Sequence, residues 1–278
     1  MKKITRQYIR TLIPERNKDS HKGTYGHSLL IAGNTGTMGA AVIAAKACLR
    51  TGTGLLTVNV PEDERFIMQT SLPEAMIALR EKRRDLKKFS AIAIGPGLGT
   101  GSPQKALVKS ILRNSHCPLV LDADALNIIA GDKSLWKAVP PSTILTPHPK
   151  EFDRLFGEHR HQEDRIRKAI AKAAEQELLI VLKGHHTVIT TGTHTFYNVT
   201  GNAGLAKGGS GDALTGMITA FLAQGSKPLE AALSAIYLHG LAADITLEEQ
   251  SMESMLITDV ISNIGRAFRH LRNRSLPH

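Results

Sequence analysis

A three-layer α/β/α fold around a mainly parallel central sheet is what this 278-residue sequence predicts, from three observations. Short apolar runs of strand length alternate with longer segments of helical period. Most of these runs are apolar on successive residues, as strands covered on both faces are, and turns rich in Gly or Pro punctuate the junctions. No long linker, low-complexity tract or internal repeat interrupts the alternation, so a single domain is expected over residues 1–278. Ligands are then expected beyond the carboxyl ends of the strands.

SLLIAG (28–33) reads as a buried strand, and MGAAVIAAKACLRTG (38–52) as a helix rich in small residues that Gly52 stops. LLTVNVPE (55–62) is a second strand ended by Pro61, and the charged stretch LREKRRDLKKF (79–89) leads into a third, AIAIGPGLG (91–99). The pattern continues through PLVLDADALN (118–127), STILTPHPKEF (142–152), the helix EDRIRKAIAKAAEQE (163–177) and the strand LLIVLKG (178–184). TVITTGTHTFYNV (187–199) resembles a hairpin arm near a sheet edge, and helices are expected over 213–224, 228–247 and 258–272.

Composition narrows the class. With 42% apolar residues the chain can bury a sizeable core, which excludes disorder as its main state. The opening MKKITRQYIRTLIPERNKD has no apolar stretch of signal-peptide length, and no membrane-length apolar run follows, so a cytoplasmic protein is expected. Two cysteines, Cys48 and Cys117, support neither a disulfide framework nor a cysteine zinc site. Lys and Arg outnumber Asp and Glu by 35 to 25, a net charge of +10 that points to an anionic partner: nucleic acid, phosphates or a membrane surface.

Candidate chemistry accumulates at strand ends. GGSGD (208–212) is the strongest: flexible backbone ahead of a helix start leaves N–H groups pointing outward at the positive end of the helix dipole, which makes an anion hole. Asp212 is either a base beside that hole, as phosphoryl transfer requires, or a plain helix N-cap. In TPHPKEF, His148 stands at a strand end, while Glu151 either helps to hold a hydrated Mg²⁺ or meets a helix dipole. Lys183 in LKGHHT either meets phosphate or caps the sheet edge in water. GNTGTMG (33–39) matches no dinucleotide fingerprint, and no Walker A loop occurs, so an ordinary turn competes there with phosphate contact. His159 and His161 in GEHRHQ match no zinc spacing and read as a solvated loop; the basic GRAFRHLRNR (265–274) reads as a solvated helix face.

Taken together, KGTYGHSLLIAGNTGTMGAA, GPGLG, LDADALN, LTPHPKEF, LKGHHTVI and NAGLAKGGSGDALTGMI resemble the NAD(P)H-hydrate dehydratase family of the ribokinase-like superfold, from about Lys22 to about Ala267. The resemblance implies repair of NADHX and NADPHX, hydrated forms of the reduced nicotinamide cofactors, with ADP giving AMP and phosphate in bacterial members and ATP serving eukaryotic ones. It makes Asp212 the base that activates the hydrate hydroxyl and the N–H groups of Gly209, Ser210 and Gly211 the anion hole. It assigns Lys183, Gly184, His185, His186 and Thr187, with Gly211, to the nucleotide, and Ala41, Gly99, His148 and Asp212 to the substrate. Mg²⁺ is implied, with Glu151 as its organising residue, although HPKE stands here where the superfamily often has Asn-x-x-Glu. Further implications are a homotetramer and a separate epimerase supplying the S epimer, since the chain starts too near the first motif to hold an epimerase domain. The rival readings are a small-molecule kinase on the same superfold, which would release a stable phosphate ester, and a basic nucleic-acid-binding protein. Aromatic residues at 4% leave the latter few stacking platforms, and neither nucleic acid nor membrane is an expected partner.

Overall fold

The computed structural model describes residues 1–13, 15–82 and 85–273; Arg83 and Arg84 of the charged stretch and Arg274 of the basic tail lie outside them. Among the described residues the strands are β1 (Lys2–Lys3), β2 (His27–Ile31), β3 (Leu55–Val60), β4 (Met76–Leu79), β5 (Ala91–Ile94), β6 (Leu119–Leu121), β7 (Ile144–Leu145), β8 (Leu179–Leu182), β9 (Val188–Thr190) and β10 (Thr195–Tyr197). The helices are α1 (Arg6–Leu12), α2 (Met38–Thr51), α3 (Arg65–Ser71), α4 (Ser102–Asn114), α5 (Asp124–Gly131), α6 (Pro149–Phe156), α7 (Gln162–Glu175), α8 (Ser210–Ala223), α9 (Pro228–Thr246) and α10 (Ile257–Arg272).

All the strands share one sheet in the order β1-β10-β9-β8-β7-β6-β5-β2-β3-β4, parallel except where β9 pairs with β8 and β10. Side chains alternate across it. Leu30, Val58, Ala93, Val120 and Val181 face a core shared with α2, α8, α9 and α10, while Leu29, Ile92, Ile94, Leu121 and Ile180 face one shared with α4, α5, α6 and α7. Burial on both faces explains why the strands read as continuous apolar runs, and it yields the expected three layers.

The chain runs outward from β2 to β3 and β4, then returns to place β5 on the other side of β2. The crevice above β2 and β5 is therefore a topological switch point, where α/β sheets take their ligands. Both strands end in glycine turns: Gly33 donates its N–H to the carbonyl of Pro96 at 2.8 Å, and Thr37 Oγ1 donates to Gly97 at 2.8 Å. Beside this crevice α8 lies hard against α2. A Cβ on Gly216 would stand 2.0 Å from the carbonyl oxygen of Ala44, so the approach needs glycine on one helix and small residues on the other.

Several expectations shift in detail. The hairpin near the edge is present, but β1 pairs outside it and forms the edge itself. The short strand β4 and helices α1, α3, α4 and α5 join the elements read from the sequence. Lys183 follows β8, an interior strand flanked by β7 and β9, so it does not cap a sheet edge. His159 is not solvated: its side chain is 13% exposed, with Nδ1 3.0 Å from Asp153, whose carboxylate also takes a bidentate grip from Arg165. His161 is exposed, as a solvated loop requires. In the tail, Arg266 pairs with Glu248 and Glu249, while Val260, Ile264, Ala267 and Leu271 anchor α10 to the core.

Candidate active site

The site is assembled from strand ends and helix starts. Between β6 and α5 the chain turns through Ala123 at φ 47°, a left-handed conformation that an alanine adopts only under constraint from its surroundings. That turn sends its two flanking acids to different places. Asp122, 1% exposed, receives Lys183 Nζ on Oδ1 at 3.0 Å and Thr215 Oγ1 of α8 on Oδ2 at 2.8 Å. Asp124 accepts the Gly99 N–H on Oδ2 at 2.7 Å and the Asn127 amide on Oδ1 at 3.3 Å. Two buried or half-buried carboxylates thus tie α8 and the Gly99 turn to the sheet.

Helix α8 begins at Ser210, and its N-cap is Gly209 at φ 92°. Asp212 therefore stands inside the first turn, not at the cap, which removes the N-cap reading of this residue. Gly209 is held from behind: a Cβ there would meet Ile43 at 2.6 Å and Ile257 at 2.9 Å. The N–H groups of Gly209 and Gly211 find no acceptor among the described residues, whereas that of Ser210 makes a long 3.4 Å bond to Lys207. A helix start with free N–H groups beside a carboxylate can hold a phosphoryl group while the carboxylate takes a proton.

Electrostatics set that carboxylate's strength. Burial, reinforced by the charge of Asp122 and more weakly by Asp124 and Glu151, pushes the Asp212 carboxyl up to about 7 against the pull of Lys183. A base titrating near neutrality is matched to proton abstraction. Burial would lower the Lys183 ammonium, but Asp122, Glu151 and Asp212 outweigh it and hold the group above the usual lysine range. Lys183 is therefore a fixed cation between the acids and the glycine loop; a Cβ on Gly211 would lie 3.0 Å from its Nζ.

His148 caps α6 by accepting the N–H groups of Lys150 and Glu151 on Nδ1, at 3.1 and 3.3 Å. The proton of the neutral ring then belongs on Nε2. Burial and the cations Lys183 and Arg154 keep the ring below its ordinary range, so it is neutral at pH 7. Glu151, 5% exposed, completes the capping box: Oε2 accepts the His148 N–H at 2.9 Å, and Oε1 lies 3.4 Å from His148 Nε2. Burial raises its carboxyl in spite of Lys183. Among the described residues no cluster of three or more His, Cys, Asp or Glu is arranged to hold a metal; both oxygens of Asp122 and of Asp124, and Oε2 of Glu151, already accept hydrogen bonds.

A cleft of about 590 Å³ opens in front of Lys183, Gly184, His185, Thr187, Ser210 and Gly211. His148 also lines it, and its apolar lining includes Leu205, Leu214 and Ile236. Of the residues expected here, His186 is not in the lining; its ring stands 6.5 Å from that of Tyr197. Gly99 sits at the switch crevice at φ 83°, with a hypothetical Cβ 3.0 Å from the Asn34 amide. Ala41 is fully buried beneath the Gly33 turn, where a Cβ on that glycine would touch it at 2.9 Å, so in this structure it shapes the turn without offering a surface.

The sequence reading gave no role to Asp122, Asp124, Thr215 or His239. The two aspartates of LDADALN are the signal for them, because acids flanking one residue at a buried strand end need partners. His239 of α9 lines the cleft at 7% exposure, its Nε2 without a hydrogen-bond partner among the described residues, and burial pushes the ring down to about 4. No pattern in the helix around it singles it out.

Sheet, switch point and glycine-started α8 together define a ribokinase-like α/β protein. More narrowly, the chain belongs to the NAD(P)H-hydrate dehydratase family, whose model matches residues 28–266. It is 38% identical over 275 residues to the ADP-dependent (S)-NAD(P)H-hydrate dehydratase of Bacillus subtilis, a match covering 95% of this chain and 98% of that protein. The crystal structure of the ADP/ATP-dependent NAD(P)H-hydrate dehydratase from Bacillus subtilis, co-crystallized with ATP/Mg²⁺, superposes with a TM-score of 0.89 at 36% identity, covering 98% of this chain and 99% of that one. The bifunctional NAD(P)H-hydrate repair enzyme Nnr of Moorella thermoacetica is 37% identical over 285 residues; the match spans 96% of this chain but 54% of that protein, so the chain covers about half the length of such bifunctional relatives.

Proposed function

We propose that this chain dehydrates the S epimer of NADHX and NADPHX to NADH and NADPH, converting ADP to AMP and phosphate. The observation that carries the reading is Asp212, a carboxyl titrating at about 7 beside a helix start with unengaged N–H groups. Hydroxide is a poor leaving group, whereas phosphate is a good one. Asp212 takes the proton of the ring hydroxyl as its oxygen bonds to the terminal phosphorus of ADP and the bridging P–O bond breaks, with Gly209 and Gly211 N–H groups and Lys183 meeting the phosphoryl charge. The ring nitrogen's electron pair then expels phosphate, and loss of a proton from the adjacent carbon restores the double bond.

In this reading the nucleotide lies along Lys183, Gly184, His185 and Thr187 with Gly211. The substrate ring lies toward Gly99, His148 and Asp212. Glu151 fits a hydrated Mg²⁺: it would hold that cation through water beside the nucleotide phosphates, as this cation prefers, leaving Asp212 free for the hydroxyl proton. Mg²⁺ supplies neutralisation of phosphate charge when bound. One domain over residues 1–278, a homotetramer, a cytoplasmic setting and an epimerase working beside it complete the proposal. Among the described residues no helix is long and apolar enough to cross a membrane.

Purified protein incubated with NADHX, Mg²⁺ and either ADP or ATP tests this through the absorbance of reduced nicotinamide. Nucleotide-dependent recovery of NADH is expected, and the nucleotide that works names the donor. A stable phosphate ester with no recovery would overturn the reading in favour of a small-molecule kinase.

A further inference from the structure

A second groove, of about 720 Å³, opens over α4, α5 and α6. Thr100, Lys105, Asp124, Asn127 and Arg154 are among its lining residues. It starts where the candidate active site ends: Thr100 follows Gly99, Asp124 holds the Gly99 N–H, and Arg154 lies on the helix that His148 caps.

Its charges are unevenly satisfied. Both Asp124 oxygens accept hydrogen bonds already, from Gly99 and Asn127. Arg154 and Lys105 are exposed, and neither pairs with a carboxylate among the described residues. Arg154 spends one N–H on the neutral Asn127 Oδ1 at 2.8 Å, which steadies the guanidinium without cancelling its charge and leaves its other donors for a ligand. Two steady or free cations thus border one groove, and nothing in the chemistry assigned to Asp212 uses them.

A dinucleotide hydrate explains them. Its reacting ring is a small part of a long molecule that carries a pyrophosphate and, in the NADP series, a 2′-phosphate. The nucleotide donor has its own cleft on the Lys183 and Gly211 side, so the remainder of the substrate must leave Asp212 in another direction, and this groove continues from the Gly99 turn. We propose that the groove over α4, α5 and α6 is the subsite for the phosphates of the dinucleotide substrate, with Lys105 and Arg154 as its anion-binding residues. The inference rests on the dehydratase reading for the identity of the substrate.

The test uses binding as well as turnover. NADPH, the expected product, is titrated by its fluorescence onto the wild-type protein and onto Lys105→Ala, Arg154→Ala and the double variant, with KM for NADHX, NADPHX and ADP measured alongside. Each single variant should weaken NADPH binding and raise hydrate KM roughly tenfold, the scale of one charge-assisted contact, while KM for ADP stays within about twofold. Arg154→Lys should recover part of the loss. A defect confined to NADPH and NADPHX identifies the 2′-phosphate as the group read, and an equal defect with NADHX identifies the pyrophosphate. Unchanged NADPH binding in the double variant, or an equal rise in KM for ADP, would overturn the proposal. Cation-dependent NADPH binding by a wild-type protein that turns over no hydrate would keep the subsite and sink the dehydratase reading.

Discussion

At Asp212 burial and three other acids work against ionisation while one lysine favours it, and the balance leaves the carboxyl near 7. As a base it must be ionised, so kcat/KM should climb roughly tenfold per pH unit below 7 and level off above, in a profile measured with NADHX and saturating nucleotide. Asp212→Asn should lower kcat by about a hundredfold or more while leaving the fold intact. Stability should move the other way. Because the folded-state pKa lies above the ordinary aspartate value of 3.8, the folded protein binds this proton more tightly than the unfolded chain, and the stability it contributes is lost as pH rises from about 4 through 7. The asparagine variant should therefore be more stable than wild type by at least about 1 kcal/mol at pH 8, with the gain fading toward pH 4 in urea melts; an unchanged difference across that range would contradict the assignment. Lys183→Met removes the cation that pulls the Asp212 carboxyl down and strands Asp122. It should shift the pH–rate midpoint upward and cost about 3 kcal/mol, and adding Asp122→Asn should return much of the stability, since the loss is that of an unpaired buried charge.

The helices hold these residues in register through close contact more than through area. Gly216 allows α8 to press on α2, and a methyl group placed 2.0 Å from the Ala44 carbonyl has nowhere to go. Gly216→Ala should destabilise the protein by about 2–4 kcal/mol in denaturant melts, despite its better helix propensity, because the helices must part. A loss below about 0.5 kcal/mol, the scale of an unconstrained surface change, would show that the pair can slide. This contact also marks where the sequence was legible. The small residues of 38–52 announced a helix, and the apolar runs at 28–33, 55–60 and 178–182 announced buried strands, since a periodic pattern is a local property. Strand β4 escaped because it is a short edge strand with an exposed Met76, and α5 because eight residues scarcely establish a period. Asp212 looked like a cap because the left-handed turn at Gly209, which starts the helix three residues sooner than expected, is fixed by Ile43 and Ile257 from distant elements. The helix start in GGSGD was itself readable; the Asp122–Lys183 pair was not, because 61 residues separate its members.

Across the whole molecule the active site is a seam. The cleft is lined by the start of α6, the turn after β8, the loop that carries Asn202 and Leu205, and residues of α8 and α9. These segments lie far apart in the chain, so a ligand that touches several must hold them together and cannot bind the unfolded chain equally well. Nucleotide with Mg²⁺ at a hundredfold excess over its Kd should add about 2.7 kcal/mol to the unfolding free energy, an increase in Tm of several degrees. The same shift should survive in Asp212→Asn, whose carboxylate acts on the hydroxyl and not on the nucleotide's base or ribose. Duplex DNA separates this from the general attraction of a +10 protein for anions: binding by net charge alone should vanish steeply between about 50 and 200 mM salt, while a nucleotide seated in a built cleft keeps most of its effect. A thermal scan of the wild-type protein with ADP, ATP and DNA at both salt concentrations therefore reads out the whole arrangement. A nucleotide shift that persists at high salt requires the cleft, and one that disappears together with that of DNA would reduce the Lys183 side of the molecule to a basic surface.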